Sequence, residues 1–204
     1  IYKVLIKLYA DSPNERTVNQ IVNILHEGGV IAYPTDTVYA LGCAITQPKA
    51  IERLREIKGK KSTLMSIVCA DLSKIADYAK VDNSTFKILK HYLPGGYTFI
   101  LRSSQRTPEK VLQGRKTIGI RVPDNEIALA IVRALGCPLV TTSVRSNDVE
   151  VEYLTDPSLI HERFPELSAV VDGGIGDNFA STIVDCVGTE PEIVRQGRAI
   201  FEEV

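Results

Sequence analysis

Val30-Ile-Ala-Tyr33-Pro-Thr-Asp-Thr-Val-Tyr-Ala-Leu-Gly-Cys43 is the stretch on which the reading of this chain turns. Its first four residues are apolar and strand-like. Pro34 removes a backbone donor and ends an interior strand. Three hydroxyls (Thr35, Thr37, Tyr39) and one carboxylate (Asp36) then fall within five residues. A plain turn needs Gly, Asn or Pro, not so many side-chain hydrogen-bonding groups. A polar loop past the carboxyl end of a strand is where open α/β sheets place ligands. The same hydroxyls also suit the plainer task of satisfying their own backbone. From chemistry alone the two readings balance.

Upstream, Tyr2-Lys-Val-Leu-Ile-Lys-Leu8 reads as a strand, and Asp11-Ser12-Pro13 with Glu15 as a helix start. Val18, Ile21, Val22 and Leu25 recur on one face of that helix, and Gly28-Gly29 ends it. The chain thus opens β-α-β. Downstream, Pro48 begins a helix that turns Ile51, Leu54 and Ile57 to the core and must stop at Gly59. Arg53, Arg55, Lys58, Lys60 and Lys61 collect along it and just beyond. Cations at a helix C-terminus suit the dipole, and lysines on a Gly-hinged loop also suit phosphate oxygens.

Further strands are expected over Leu64-Cys69, Tyr97-Arg102, Thr117-Val122, Pro138-Ser143 and Ala169-Asp172, with a closing pair at Ser181-Asp185 and Glu192-Arg195. Helices are expected over 81–93, over 127–135 and from Asp156-Pro157 to Arg163. Alternating strands and helices argue for α/β or α+β with one twisted mixed sheet. Arg121 lies inside an otherwise apolar strand, and a buried arginine needs an anionic partner. An internal carboxylate and a ligand carboxylate or phosphate serve equally. Gly173-Gly174-Ile-Gly176 lacks the full dinucleotide-binding pattern and a following helix.

The 204 residues are 44% hydrophobic and 24% charged, ordinary for one globular domain. The net charge of -1 excludes a chain that binds polyanions as a whole, so any nucleic-acid contact needs a local basic face. The four cysteines (43, 69, 137, 186) form no CxxC pair, and no two of the three histidines are near one another in sequence. No protein-ligated metal and no Ser-His-Asp triad is expected. The cysteines read as small buried hydrophobes in a reducing cytoplasm. Neither a membrane-spanning apolar run nor a signal-peptide pattern is seen.

Seven blocks, in order, resemble the YrdC/YciO family: Tyr33-Pro-Thr-Asp-Thr-Val-Tyr-Ala-Leu-Gly42, Lys58-Gly-Lys60, Leu93-Pro-Gly-Gly-Tyr-Thr-Phe-Ile-Leu101, Gly119-Ile-Arg-Val-Pro123, Pro138-Leu-Val-Thr-Thr-Ser143, Ser181-Thr-Ile-Val-Asp185 and Arg195-Gln-Gly197. The closer likeness is to the YciO branch. The resemblance implies a single YrdC/RibB-like α/β domain over residues 1–204. Its sheet would be twisted, mixed and mostly parallel, flanked by helices, with a concave basic cavity. It implies an L-threonylcarbamoyladenylate synthase of the TsaC type, a nucleotidyltransferase that uses threonine, bicarbonate and ATP, with Mg2+, and releases pyrophosphate. The product would serve tRNA threonylcarbamoyladenosine modification through downstream partner proteins. The runner-up is a non-catalytic protein that binds double-stranded RNA or tRNA, and a third reading is a metabolite-binding domain.

By the same resemblance, Thr35, Thr37 and Tyr39 would contact the threonine and adenylate region. Arg121 would hold the threonine carboxylate and Ser181 would contact the amino acid. Lys58 and Lys60 would face the phosphates as catalytic cations, and Ser143, Arg145 and Arg195 would lie near the nucleotide. Two positions depart from the family pattern. Its Lys-x-Arg reads Lys58-Gly59-Lys60, and its Ser-x-Asn reads Ser143-Val144-Arg145. A bidentate fork becomes a point charge, and an amide becomes a donor-only cation. Both changes bear on the nucleotide side.

Overall fold

The computed structural model describes residues 3–59, 64–144 and 155–202. Lys60 and Arg145, two of the expected site residues, lie outside them. Ten strands form one sheet among the described residues. They are β1 (Val4–Lys7), β2 (Ile31–Tyr33), β3 (Ala40–Ala44), β4 (Ser66–Val68), β5 (Tyr97–Arg102), β6 (Thr117–Arg121), β7 (Leu139–Ser143), β8 (Ala169–Asp172), β9 (Thr182–Asp185) and β10 (Glu192–Arg195). Their spatial order is β1-β8-β2-β3-β7-β4-β6-β5-β9-β10. β8 runs parallel to both β1 and β2, β4 to β6, and β5 to β9. The remaining neighbours are antiparallel. The sheet is therefore mixed, as expected, but not mostly parallel. Short links such as the one from β2 to β3 cannot make the crossover that parallel strands require.

Two other expectations change. The opening β-α-β unit is parallel, yet β8 inserts between its strands, a pairing set by residues far along the chain. The segment after Tyr33 is not an open loop but a hairpin: Tyr33 pairs with Ala40 and Ile31 with Gly42. β3 carries no β-branched residue and is buried on both faces, so it shows neither strand propensity nor alternation.

Helices cover both faces. Helix α1 (Glu15–His26) begins at Asn14, whose side-chain oxygen accepts from Thr17 N at 3.1 Å, slightly past the Asp11-Ser12 signal. It buries the four periodic residues expected of it. These pack with Ile31 and Tyr33 of β2 and with Ile127 and Ile131 of helix α6 (Glu126–Leu135). Each such side chain, fully buried, contributes about 1.5–3 kcal/mol. On the other face Ile51 and Leu54 of helix α2 (Pro48–Lys58) join Ala32, Leu41, Cys43 and Phe99. Ile31 and Ala32 thus face opposite cores, as strand alternation requires. Short helices α3 (Ile75–Tyr78) and α5 (Glu109–Leu112), with α4 (Asn83–Tyr92) and α7 (Pro157–Arg163), fill the connections. No helix among the described residues is long and apolar enough to cross a membrane.

Candidate functional site

The β2–β3 hairpin is held from within. Thr35 Oγ1 accepts from Thr37 N at 3.0 Å and donates to Val38 O at 2.8 Å, so this hydroxyl satisfies its own turn. Tyr33 Oη donates to Thr141 Oγ1 at 2.7 Å while Thr141 donates to Leu41 O at 3.0 Å, tying β2 to β7 across β3. Burial pushes the Tyr33 phenol up to about 12. Gly42 makes the crossing possible, since a Cβ there would lie 2.8 Å from the Tyr33 ring.

Tyr39 serves a second turn. Its hydroxyl donates to Gly174 O at 2.7 Å and accepts from Gly173 N at 3.1 Å. A Cβ on Gly176 would meet the Tyr39 ring at 2.8 Å. The Gly173-Gly174-Ile175-Gly176 run is thus shaped for close packing on the hairpin. Burial raises the Tyr39 phenol well above its ordinary range.

Arg121, at the end of β6 and only 7% exposed, finds an internal carboxylate. Its Nη2 donates to Asp36 Oδ1 and to Thr37 Oγ1, each at 3.0 Å. Asp36 Oδ2 accepts from Asp124 N at 2.9 Å. The Nε of Arg121 is buried and has no hydrogen-bond partner. A buried donor left open is uncommon.

Beside Arg121, residues of β3, β4, β5, β6, β7, β9 and β10 line a cavity of about 230 Å³. Arg121, Ser143, Ser181, Arg195 and Lys58 all line it, so five expected site residues come together. Thr35, Thr37 and Tyr39 do not line it; Thr37 acts on its wall through Arg121. Lys58 Nζ donates to Ser143 O at 2.5 Å, and desolvation lowers its pKa to about 8. Arg195 donates from Nε and Nη2 to Ser181 O at 3.2 and 2.8 Å, and its Nη2 reaches Ser181 Oγ at 3.3 Å.

Sequence reasoning did not single out Ser66, Thr98, Thr141 and Thr142, which line the same space from β4, β5 and β7. The available signal was a hydroxyl within each apolar strand. Thr98 Oγ1 and Ser181 Oγ lie 2.8 Å apart. Gly119 lets this wall close up, because a Cβ there would meet Ser66 Oγ at 2.5 Å and Thr98 Cγ2 at 3.0 Å. Gly197 does the same behind Ser181: its Cβ would lie 2.2 Å from Ala180 O. That contact gives the Arg195-Gln-Gly197 block a physical meaning.

Among the described residues the lining is hydroxyls, aliphatic groups and three cations, without a carboxylate. Asp36, the partner of Arg121, has both oxygens committed. This donor set fits an anionic or zwitterionic ligand and does not fit a protein-held divalent cation. No group of three or more His, Cys, Asp or Glu suited to a metal occurs among the described residues. Cys43 and Cys69 are buried away from the cavity with their thiols pushed up to about 12, which makes them poor nucleophiles.

The Sua5/YciO/YrdC family, described as "Telomere recombination", matches residues 23–197. YciO of Escherichia coli (strain K12) is 41% identical over 196 residues, covering 93% of each chain. Its crystal structure superimposes with a TM-score of 0.89 at 38% identity over 96% of both chains. The threonylcarbamoyl-AMP synthase of Bacillus subtilis is 30% identical over 202 residues, 95% of this chain and 57% of that one. P. abyssi Sua5 complexed with L-threonine matches with a TM-score of 0.87 at 25% identity, over 96% of this chain and 58% of that one. The chain thus spans over half the length of those two relatives and nearly all of YciO. Family blocks line the cavity and hold its hairpin wall, and on these grounds the chain belongs to the Sua5/YciO/YrdC family.

Proposed function

We propose that this protein makes L-threonylcarbamoyladenylate from L-threonine, bicarbonate and ATP, releasing pyrophosphate, as a step linked to threonylcarbamoyladenosine modification of tRNA. The observation that carries this reading is the convergence of Arg121, Ser181, Lys58, Ser143 and Arg195 on one cavity whose lining, among the described residues, holds no carboxylate. Kinship with threonylcarbamoyl-AMP synthases and the L-threonine complex of P. abyssi Sua5 support the choice of substrate.

In this reading the Arg121 guanidinium takes the threonine carboxylate. Ser181 and Thr98 offer hydroxyls to the amino-acid body. Lys58 and Arg195 meet the negative charge that grows at the α-phosphate and the departing pyrophosphate. Mg2+ arrives as the counter-ion of ATP, held by phosphates rather than by carboxylates of this chain. Positioning and fixed charge carry such a reaction, and no side-chain nucleophile is needed. The cavity of about 230 Å³ is smaller than the usual 300–1,000 Å³ of a small-molecule site and matches the amino-acid end of the ligand. Lys60 and Arg145 lie two positions from the lining residues Lys58 and Ser143 in sequence, and their part in nucleotide binding remains a proposal.

The test is threonine-dependent pyrophosphate release with bicarbonate, Mg2+ and ATP. We expect release from the wild-type protein and loss of it in Lys58→Ala. Absence of any threonine-dependent signal above that variant overturns the reading. The RNA-binding alternative is less favoured, because Arg53 donates to Glu166 O, Arg55 to Lys110 O and Lys58 to Ser143 O. These cations serve the fold's own carbonyls. Affinity for tRNA that falls steeply between two salt concentrations, without pyrophosphate release, would reverse that preference.

A further inference from the structure

We propose that Asp36 is the positioning residue of the amino-acid site: it holds the Arg121 guanidinium in the one pose that presents its free edge to a ligand carboxylate. The inference rests on the reading of Arg121 given above and adds the part that makes it work. A guanidinium on a flexible stem rotates unless more than one contact fixes it. Here Nη2 has two N–H groups, and both are used, one on Asp36 Oδ1 and one on Thr37 Oγ1 at 3.0 Å each. Two acceptors on one nitrogen set both the direction and the plane of the group.

Asp36 is itself fixed. Its Oδ2 accepts from the Asp124 amide at 2.9 Å, in the turn that leads to α6. The carboxylate therefore bridges the β2–β3 hairpin, the end of β6 and the start of α6. Both side chains of the ion pair are nearly enclosed, at 9% and 12% exposure, so water competes weakly for either. The Nε–H left over is buried, without a partner, on a residue that lines the cavity. With Asp36 gone, Nη2 has one acceptor where it had two, and the guanidinium can turn toward the cavity in several ways. Ligand binding would then have to order it again, at a cost in affinity. Asp36 touches no ligand in this scheme; it acts through Arg121.

Two measurements separate this role from a merely structural one. The first needs no ligand: the 15N–1H signal of Arg121 Nε, assigned by its loss in Arg121→Ala. We expect a sharp signal in the wild type and a broadened or shifted one in Asp36→Ala, with Asp36→Asn between them because the amide oxygen keeps one acceptor. An unchanged signal in Asp36→Ala overturns the proposal. The second compares L-threonine with L-threoninol, which lacks the carboxylate, by calorimetry. Asp36→Ala should weaken threonine at least about tenfold, near 1.4 kcal/mol, and leave threoninol as it was. Equal losses for both ligands, or a preserved ratio, overturn it. If Asp36→Ala does not fold, Asp36→Asn carries both measurements with smaller shifts of the same sign. Should wild type bind neither ligand, the amino-acid reading of the cavity fails, and the Nε signal still decides whether Asp36 sets the pose of Arg121.

Discussion

The two walls of the cavity are built on different principles. On the hairpin side the polar groups bind one another, with the Nε of Arg121 left over. Thr35, Thr37, Asp36 and Arg121 form one chain of bonds, buried except for the partly enclosed Asp36. Elsewhere in the lining Lys58 and Arg195 rest on backbone carbonyls of Ser143 and Ser181, half-buried in one case and exposed in the other. The first wall is rigid because loosening it would strand a buried charge. The second is made of long cations that can trade a carbonyl for a ligand oxygen. A small, defined amino acid suits the first wall, and phosphates that arrive and leave suit the second.

The sharpest way to break this contrast is Arg121→Ala. It removes the partner of Asp36 and should cost about 3–5 kcal/mol in chemical denaturation, as a buried pair does when one member is lost. It should also abolish thermal stabilisation by threonine. Lys58→Ala, on the other wall, should change stability far less. Equal losses in the two variants would mean that the walls do not differ in rigidity.

Much of this arrangement was legible in the sequence, for reasons that depend on the element. α1 and α6 carry strong periodicity and lie where it puts them, and β5 lies on the apolar run that was expected to form it. The exception, β3, is Ala-Leu-Gly-Cys-Ala with both faces covered, so burial erased the pattern that marks a strand. That Arg121 needed an anion was plain from its place in an apolar strand. Which anion was not, because Asp36 lies 85 positions away and only the β2–β3 hairpin brings it near. Ser66 and Thr98 are single hydroxyls in apolar strands, a signal too common to distinguish a cavity wall from a satisfied core. The resemblance named Tyr39 for ligand contact; it is instead engaged with Gly173 and Gly174, and its part in ligand contact remains a proposal.

A smaller effect is expected where the second wall meets its backing. Gly197 passes so close to Ala180 and Ser181 that Gly197→Ala must push the chain apart, since its Cβ would lie 2.2 Å from a carbonyl oxygen. Such overpacking costs about 1–3 kcal/mol. The displaced partner is the segment that carries Ser181, so threonine affinity should fall together with stability in thermal-shift titrations. A loss of stability with unchanged threonine affinity would show that the wall adapts here without moving Ser181.

The finest test uses pH. Desolvation holds Lys58 near 8, below the ordinary 10.5, so its charge is present at pH 7 and mostly gone at pH 9. Affinity for pyrophosphate should therefore fall as pH rises through this window, by up to about tenfold for the loss of one charge-assisted contact. Stability should move the other way. Between the folded value near 8 and the unfolded value near 10.5 the unfolded chain binds the extra proton, so the folded state gains as pH rises across that range. Lys58→Met should flatten both trends at once, because one desolvated ammonium causes both. If only the affinity trend flattens, the cation that senses phosphate is Lys58 but its burial does not govern stability. If neither flattens, the charge on the second wall comes from Arg195, and the adaptable wall is narrower than the two cations suggest.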